Sequence, residues 1–374
     1  MKKILINGLN AKSGGGKSIL NNYLKILVKN DAVNKYYILT PKKKEYIQYE
    51  TKNIAIIDIN SKYKKTILLP FTYAYILPNL ITKLEINSVL NLADIPIRTK
   101  EFQAFLFDWP YAVYPDSIVW SKMSWKDWTA RKIKLIIFKK NLRFVNKMLA
   151  QNEAIRKRLY QYYNIKNIEI VNNAVSLDNL KHSKKNVKKF NIPNGIKLLY
   201  LTFYYPHKNL EILLPLALLV KNKCLEYKFI ITIDETHGLR AQEFLNKVKI
   251  MELQDVIINI GSVEMKDVPS LYRQCDGLLM PTLLESFSGT YVEAMYHEKP
   301  ILTSDLDFAK VVCENSAVYF NPLNENDILK KILKVYSDDK LKNKMVKAGK
   351  EKLKNLSTWN ESYLKFQKII LKNE

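Results

Sequence analysis

The chain opens with a short apolar run at residues 3–7 and an apolar-periodic stretch at 19–28, which predict a buried strand followed by a helix. Further strands are predicted at 53–59, 88–92, 102–107 and 168–171, the last followed by the turn signal Asn172-Asn173. Residues 176–195 break the pattern. They are polar and lysine-rich (Lys181, Lys184, Lys185, Lys188, Lys189) and close on Pro193-Asn194-Gly195, which marks a domain boundary. A second alternating series follows, with strands at 197–202, 228–233, 256–260, 277–280, 300–303 and 317–320. Its helices are predicted at 209–219, 240–249, 268–274 and 291–297. Strand alternating with helix gives parallel α/β layers, so two doubly wound α/β domains with a cleft between them are expected, residues 1–175 and 190–357.

Charge adds a partner to this picture. Of the net +24, residues 1–175 supply +18, from 30 Lys and Arg against 12 Asp and Glu. So uneven a distribution predicts that the first half meets something anionic. Residues 120–149 carry Lys122, Lys126, Arg131, Lys132, Lys134, Lys139, Lys140, Arg143 and Lys147 with Asp127 as the lone acid, and Trp109, Trp120, Trp125 and Trp128 lie in or just before them. This composition suits a helix lying on an anionic bilayer, and equally a solvated helix whose Ile, Leu and Phe face the core. The uncharged run 66–82 contains Pro70 and Pro78, and is expected to be helix and loop packed inside a domain. The start is too short in apolar residues for a signal peptide. Cys224, Cys275 and Cys313 lack CxxC spacing, and His182, His237 and His297 lack neighbours at ligand spacing, so neither a disulfide framework nor a metal site is expected. A cytoplasmic protein, peripheral on the inner face of the membrane, is the expectation.

Two segments carry candidate chemistry. Ala11-Lys12-Ser13-Gly14-Gly15-Gly16-Lys17-Ser18 lies between a strand and a helix and ends like a P-loop, but Ala11 stands where the first glycine belongs. A P-loop kinase or NTPase using Gly14-Ser18 would also need an acid for magnesium, for which Asp58 and Asp94 are the candidates. The more general reading is a loop that brings bare backbone close to a ligand ahead of a helix.

The second segment is Met280-Pro281-Thr282-Leu283-Leu284-Glu285-Ser286-Phe287-Ser288-Gly289-Thr290-Tyr291-Val292-Glu293-Ala294-Met295. Glu285 falls in a strand-to-helix loop and Glu293 eight positions later on the following helix. Backbone N–H groups of Ser286, Ser288 and Gly289 at the helix N-terminus favour an anion such as diphosphate. A carboxylate just beyond can accept two hydrogen bonds from vicinal sugar hydroxyls, which is what a nucleotide sugar requires. The alternatives are that Glu293 is merely a favourable acid near a helix N-terminus, or that the two acids form a glycosidase pair.

The E-x7-E spacing and the Pro-Thr-Leu-Leu-Glu-Ser-Phe-Ser context resemble the signature of retaining family-4 glycosyltransferases. Tyr205-Pro206-His207-Lys208-Asn209-Leu210 is similar to that family's P-[RH]-K-[NG] segment. Ile260-Gly261-Ser262-Val263, with Leu271-Tyr272 and Cys275-Asp276, is similar to its "G-x-V…L-Y…A-D" run, and Thr358-Trp359 to the start of its returning helix. The resemblance implies a GT-B fold, two Rossmann-like domains facing a central cleft, the first completed by a helix at 358–374. It implies a retaining transferase moving sugar from a nucleotide-diphosphate sugar to a hydroxyl of a glycan or lipid-linked glycan, in cell-surface polysaccharide synthesis, with no metal.

Carried over by position, Lys208 neutralises the leaving diphosphate and Glu285 contacts the donor sugar near its reacting carbon. Glu293 binds the ribose, and Ser286, Phe287, Ser288 and Gly289, with Gly15 and Gly16, cradle the donor. Two departures stand out. Leu201-Thr202-Phe203-Tyr204 offers no arginine where the family usually has one, leaving His207 or Arg240 as substitutes, and Ser288 replaces a common glycine. Asp108, after a predicted strand, is the candidate for acceptor contact. Nucleic-acid binding is not expected, since charge alone suggests it and no motif supports it.

Overall fold

The structure, a computed structural model, describes residues 1–12, 14–174 and 188–372. Ser13, the boundary residues 176–187 with Lys181, His182, Lys184 and Lys185, and the last two residues of the predicted 358–374 helix lie outside the described residues. The chain divides into two compact units, one of Met1–Asp116, Met123–Ala174 and Ser357–Glu374, the other of Ser117–Lys122 and Val175–Leu356. The sequence-based boundary therefore misses one excursion, because six residues of the first half group with the second unit.

The first unit holds a seven-stranded sheet: β1 (Lys3–Asn7), β2 (Lys35–Leu39), β3 (Ile54–Ile57), β4 (Ser88–Asn91), β5 (Phe102–Phe107), β6 (Lys147–Ala150) and β7 (Ile168–Ile170). Its order is β3-β2-β1-β4-β5-β6-β7, and every pairing is parallel. A parallel sheet is covered on both faces, so its strands are short apolar runs rather than alternating ones. One polar seam crosses it: Asn7 Nδ2 donates to Asn91 Oδ1 at 3.0 Å, and Asn91 Nδ2 to Gln103 Oε1 at 2.9 Å. All three are fully buried, and the pairing keeps those amides from the cost of an unsatisfied buried polar group.

The helix Trp359–Lys372 completes this unit, packing Tyr363, Phe366, Ile369 and Ile370 into one cluster with Tyr23, Leu24 and Leu27. Gln367 Nε2 donates to Tyr23 Oη at 3.0 Å, and Tyr36 Oη donates to Gln367 Oε1 at 3.1 Å.

Two expectations change here. The 120–149 stretch is not one surface helix: Trp125–Asn141 is helical, a turn follows, and Lys147 begins a strand buried in the sheet. Trp109 is core. The run 66–82, read as packed inside a domain, belongs to a helical stretch Thr66–Leu84 whose apolar window is only 22% buried. Tyr73, Leu77 and Ile81 anchor its inner face, while Ile67, Phe71 and Tyr75 are exposed on the other.

The second unit holds β8 (Ile196–Tyr200), β9 (Tyr227–Ile231), β10 (Ile257–Asn259), β11 (Gly277–Met280), β12 (Ile301–Ser304) and β13 (Ala317–Phe320). Their order is β10-β9-β8-β11-β12-β13, again all parallel. From β8 the chain builds outward to β10, then returns to β8's other side with β11. The strand order thus reverses between β8 and β11.

Candidate functional site

In an open parallel sheet, ligands bind outside the carboxyl ends of the strands where the order reverses. In the second unit that place is framed by the loops after β8 and β11, the two segments that the motifs single out. Pro206–Lys208 forms a single 3-10 turn, and Asn209 follows with φ +56°. Asparagine tolerates this left-handed conformation better than most residues. The Asn209 side chain donates to the carbonyls of Pro281 at 3.2 Å and Pro322 at 2.8 Å and accepts from Lys122 Nζ at 2.8 Å.

The two loops are laced together. Leu283 N–H donates to the His207 carbonyl at 2.7 Å, and Tyr200 Oη to the Lys208 carbonyl at 2.6 Å. Held in this way, Lys208 Nζ donates to Glu285 Oε1, with each side chain less than a fifth exposed. Thr282 Oγ1 lies 3.3 Å from the same carboxylate oxygen. A charge pair so enclosed interacts more strongly than a surface pair.

Beyond the β11 loop, Ser288 precedes the helix Gly289–Tyr296. No side chain caps this helix and its first turn holds no acid, so its N–H dipoles are not neutralised by an acidic side chain there. Ser288 has φ −119°, extended backbone that any residue adopts, so the missing glycine costs no strain. Glu293 is the fifth helical residue and lies past the turn where an acid would favour the dipole. Tyr272 Oη sits 3.3 Å from Glu293 Oε2 and 3.2 Å from the Thr290 carbonyl, and its buried ring stacks on His297 at 4.9 Å and 18°. Burial pushes the Glu293 carboxyl up to about 7, opposed by its hydrogen bond with Tyr272.

Ser286 and Ser288 are buried and Phe287 half-buried in the loop between these acids. Of the suggested substitute cations, Arg240 donates to the Lys122 carbonyl at 2.6 Å, while the His207 ring stacks on Tyr205 at 5.4 Å and 10°.

The other candidates belong to the first unit. Gly15 and Gly16 fall in the first turn of the helix Gly14–Asn30, where an added Cβ at Gly15 would meet nothing within 4 Å. Packing does not demand a glycine there. The P-loop reading finds no support: Lys17 pairs with Glu45 at 2.7 Å, and the acids proposed for magnesium, Asp58 and Asp94, pair with Lys64 and Lys134. Asp108, just after β5, accepts from Gln151 Nε2 at 2.5 Å. Among the described residues, no group of three or more His, Cys, Asp or Glu side chains could hold a metal ion.

Sequence reasoning gave Tyr200, Thr282 and Asn209 no role, and quoted Tyr272 only as part of a matching run. The one local signal was an asparagine directly after a turn, where a left-handed residue is common.

Residues 182–352 match the family model described as "Glycosyl transferases group 1". The matched residues span both loops and the helix bearing Glu293. The O-antigen chain mannosyltransferase RfbU of Salmonella typhimurium is 24% identical over 217 residues, covering 57% of this chain and 54% of that protein. The chain spans about half the length of such curated relatives.

Two solved structures align over the whole chain. A glycosyltransferase from Rickettsia africae gives a TM-score of 0.71 at 18% identity, covering 100% of this chain and 99% of that one. HepE of Anabaena, in complex with UDP-glucose, gives 0.74 at 14% identity, covering 99% and 100%. Both support one fold assignment: two parallel α/β sheets of the GT-B type.

Proposed function

We propose that this chain is a retaining glycosyltransferase that moves a sugar from a nucleoside-diphosphate sugar to a hydroxyl of a glycan or lipid-linked glycan, in cell-surface polysaccharide synthesis. The observation that carries the reading is the Lys208–Glu285 pair, laced into place where the strand order reverses, beside an uncapped helix N-terminus. The name of RfbU and the UDP-glucose complex of HepE support the donor and acceptor classes.

The chemistry follows from charge. The bond between the sugar's anomeric carbon and the diphosphate breaks, and negative charge grows on the leaving phosphate. The Lys208 ammonium and the amides of Ser286 to Gly289, with the bare backbone at Gly15 and Gly16, are proposed to receive that charge. Glu285 accepts from the sugar's hydroxyls beside the oxocarbenium-like carbon, and Glu293 from the ribose hydroxyls. The acceptor, contacted by Asp108, forms the new bond on the same face and passes its proton to the departing phosphate. In this scheme the positive charge comes from the protein's own groups and no metal takes part, so a chelator should leave the rate unchanged. Protein seated on the inner face of a membrane by its basic first unit would meet lipid-linked acceptors there.

Lys208→Gln should lower kcat by roughly a hundredfold or more, the loss expected for one preorganised charge-stabilising group, with donor Kd changed far less. A Lys208→Gln enzyme of unaltered kcat in a sugar-transfer assay would refute the proposal. Titration with UDP-, GDP- and ADP-sugars, read as thermal stabilisation, identifies the donor.

A further inference from the structure

We infer that the outer face of the first unit, formed by the Thr66–Leu84 stretch and the helix Trp125–Asn141, is a docking surface for an anionic lipid bilayer. The inference deepens the reading above by naming the partner of the first unit, and it rests on that reading only for the lipid-linked acceptor. Four observations carry it.

The first is exposure. Ile67 is 80% exposed and Trp125 73%, and Phe71, Tyr75, Trp128 and Ile136 are exposed with them. Ile67, Phe71 and Tyr75 recur every four residues, so they line one face of the helical stretch. Scattered single apolar residues on a surface need no explanation, but a contiguous stripe marks an interaction site.

The second is adjacency. Leu69, Leu80 and Leu84 of the first element and Ile133 and Ile137 of the second pack on one core cluster, on the same side of the sheet. The uncovered faces of the two elements therefore point outward together.

The third is the chemical form of the patch. Lys126 lies over the Trp125 ring at 5.8 Å, Lys132 over Trp128 at 5.2 Å and Lys62 over Tyr63 at 4.9 Å. Tyr63, Phe71 and Tyr75 form a ladder with ring centroids 6.1 and 5.3 Å apart. Aromatic rings at the level of the headgroups, with lysines reaching phosphate above them, are the arrangement of an interfacial helix.

The fourth is charge. Residues 1–175 hold +18 of the net +24, and the helix Trp125–Asn141 itself carries Lys126, Arg131, Lys132, Lys134, Lys139 and Lys140 against Asp127 alone. A second copy of this chain would bring equally positive charge against that surface, whereas an anionic lipid leaflet complements it.

The test uses the full chain with two kinds of vesicle, phosphatidylcholine alone and phosphatidylcholine mixed with phosphatidylglycerol. Co-flotation is expected only with the mixed vesicles. The pair Ile67→Ser and Phe71→Ser should abolish it, and Lys126→Gln and Lys132→Gln should weaken it roughly fivefold for each charge removed. The melting temperature and donor binding of these variants should stay as in the parent. Loss of flotation with donor binding intact separates this surface from the active-site proposal, and absent donor binding in the parent would refute the latter alone.

Three outcomes overturn the inference. One is parent protein that ignores both vesicle types, and another is flotation untouched by the serine pair. The third is a dimer, seen by sedimentation, that the serine pair disperses while vesicles do not bind.

Discussion

Glu293 combines partial burial with a proposed role that needs its charge, and the two demands pull in opposite directions with pH. Its carboxyl titrates near 7 in the folded chain against an ordinary value of 4.5. A folded value above the unfolded one means that the neutral acid stabilises the fold at low pH. That contribution is whole below about 4.5 and is lost as pH climbs through about 7, where the buried group must ionise. The difference is on the order of 3 kcal/mol, at 1.36 kcal/mol per unit.

Glu293→Gln never ionises, so the empty variant should be more stable than the parent at pH 8 and no different at pH 4, as denaturant titration would show. In the proposed role ribose hydroxyls donate to the ionised carboxylate, so parent donor affinity should rise as pH passes about 7, while the glutamine variant should bind weakly at every pH. A pH-independent donor Kd in the parent, measured by calorimetry, would contradict the assigned role. The position of Glu293 was legible from the E-x7-E spacing. Its altered acidity was not, because that depends on burial and on Tyr272, which lies 21 positions away.

Among the elements, strands were read well where the run was mostly apolar: the predicted 3–7, 102–107, 277–280 and 317–320 match β1, β5, β11 and β13 to the residue. Two strands escaped. In β2, Lys35-Tyr36-Tyr37-Ile38-Leu39, two tyrosines dilute the apolar run, yet Tyr36 is fully buried with its hydroxyl held by Gln367. In β6 the strand begins at Lys147, at the end of a stretch whose lysines pointed to a surface helix. Local sequence could not report either, because the partners that bury them lie on distant segments.

The returning helix Trp359–Lys372 has the same dependence on distance. Phe366 is 2% exposed among Tyr23 and its neighbours, so Phe366→Ala should cost about 3–5 kcal/mol. The loss should appear as early unfolding of the first unit, followed by its amide-exchange protection. Protection unchanged around Tyr23 would show that the helix is dispensable.

Over the whole molecule, charge imbalance is the property that changes behaviour with solvent. Attraction of the first unit to an anionic surface should weaken steeply with salt, since the screening length falls from about 8 Å at physiological ionic strength to about 3 Å at 1 M. Vesicle binding by the parent chain should therefore fall through this range while donor binding, made by enclosed groups, changes little. Equal salt sensitivity of the two would place the donor on the open surface instead.

The first unit is assembled from both ends of the sequence, with Ser357–Glu374 rejoining Met1–Asp116 and Met123–Ala174. On a ribosome, its sheet emerges early, but the helix that covers Tyr23, Leu24 and Leu27 emerges only after the entire second unit. The nascent chain must therefore carry a partly bare apolar face through most of its synthesis. The half made first is finished last, and a chaperone that shields it has reason to stay bound until translation has passed the second unit.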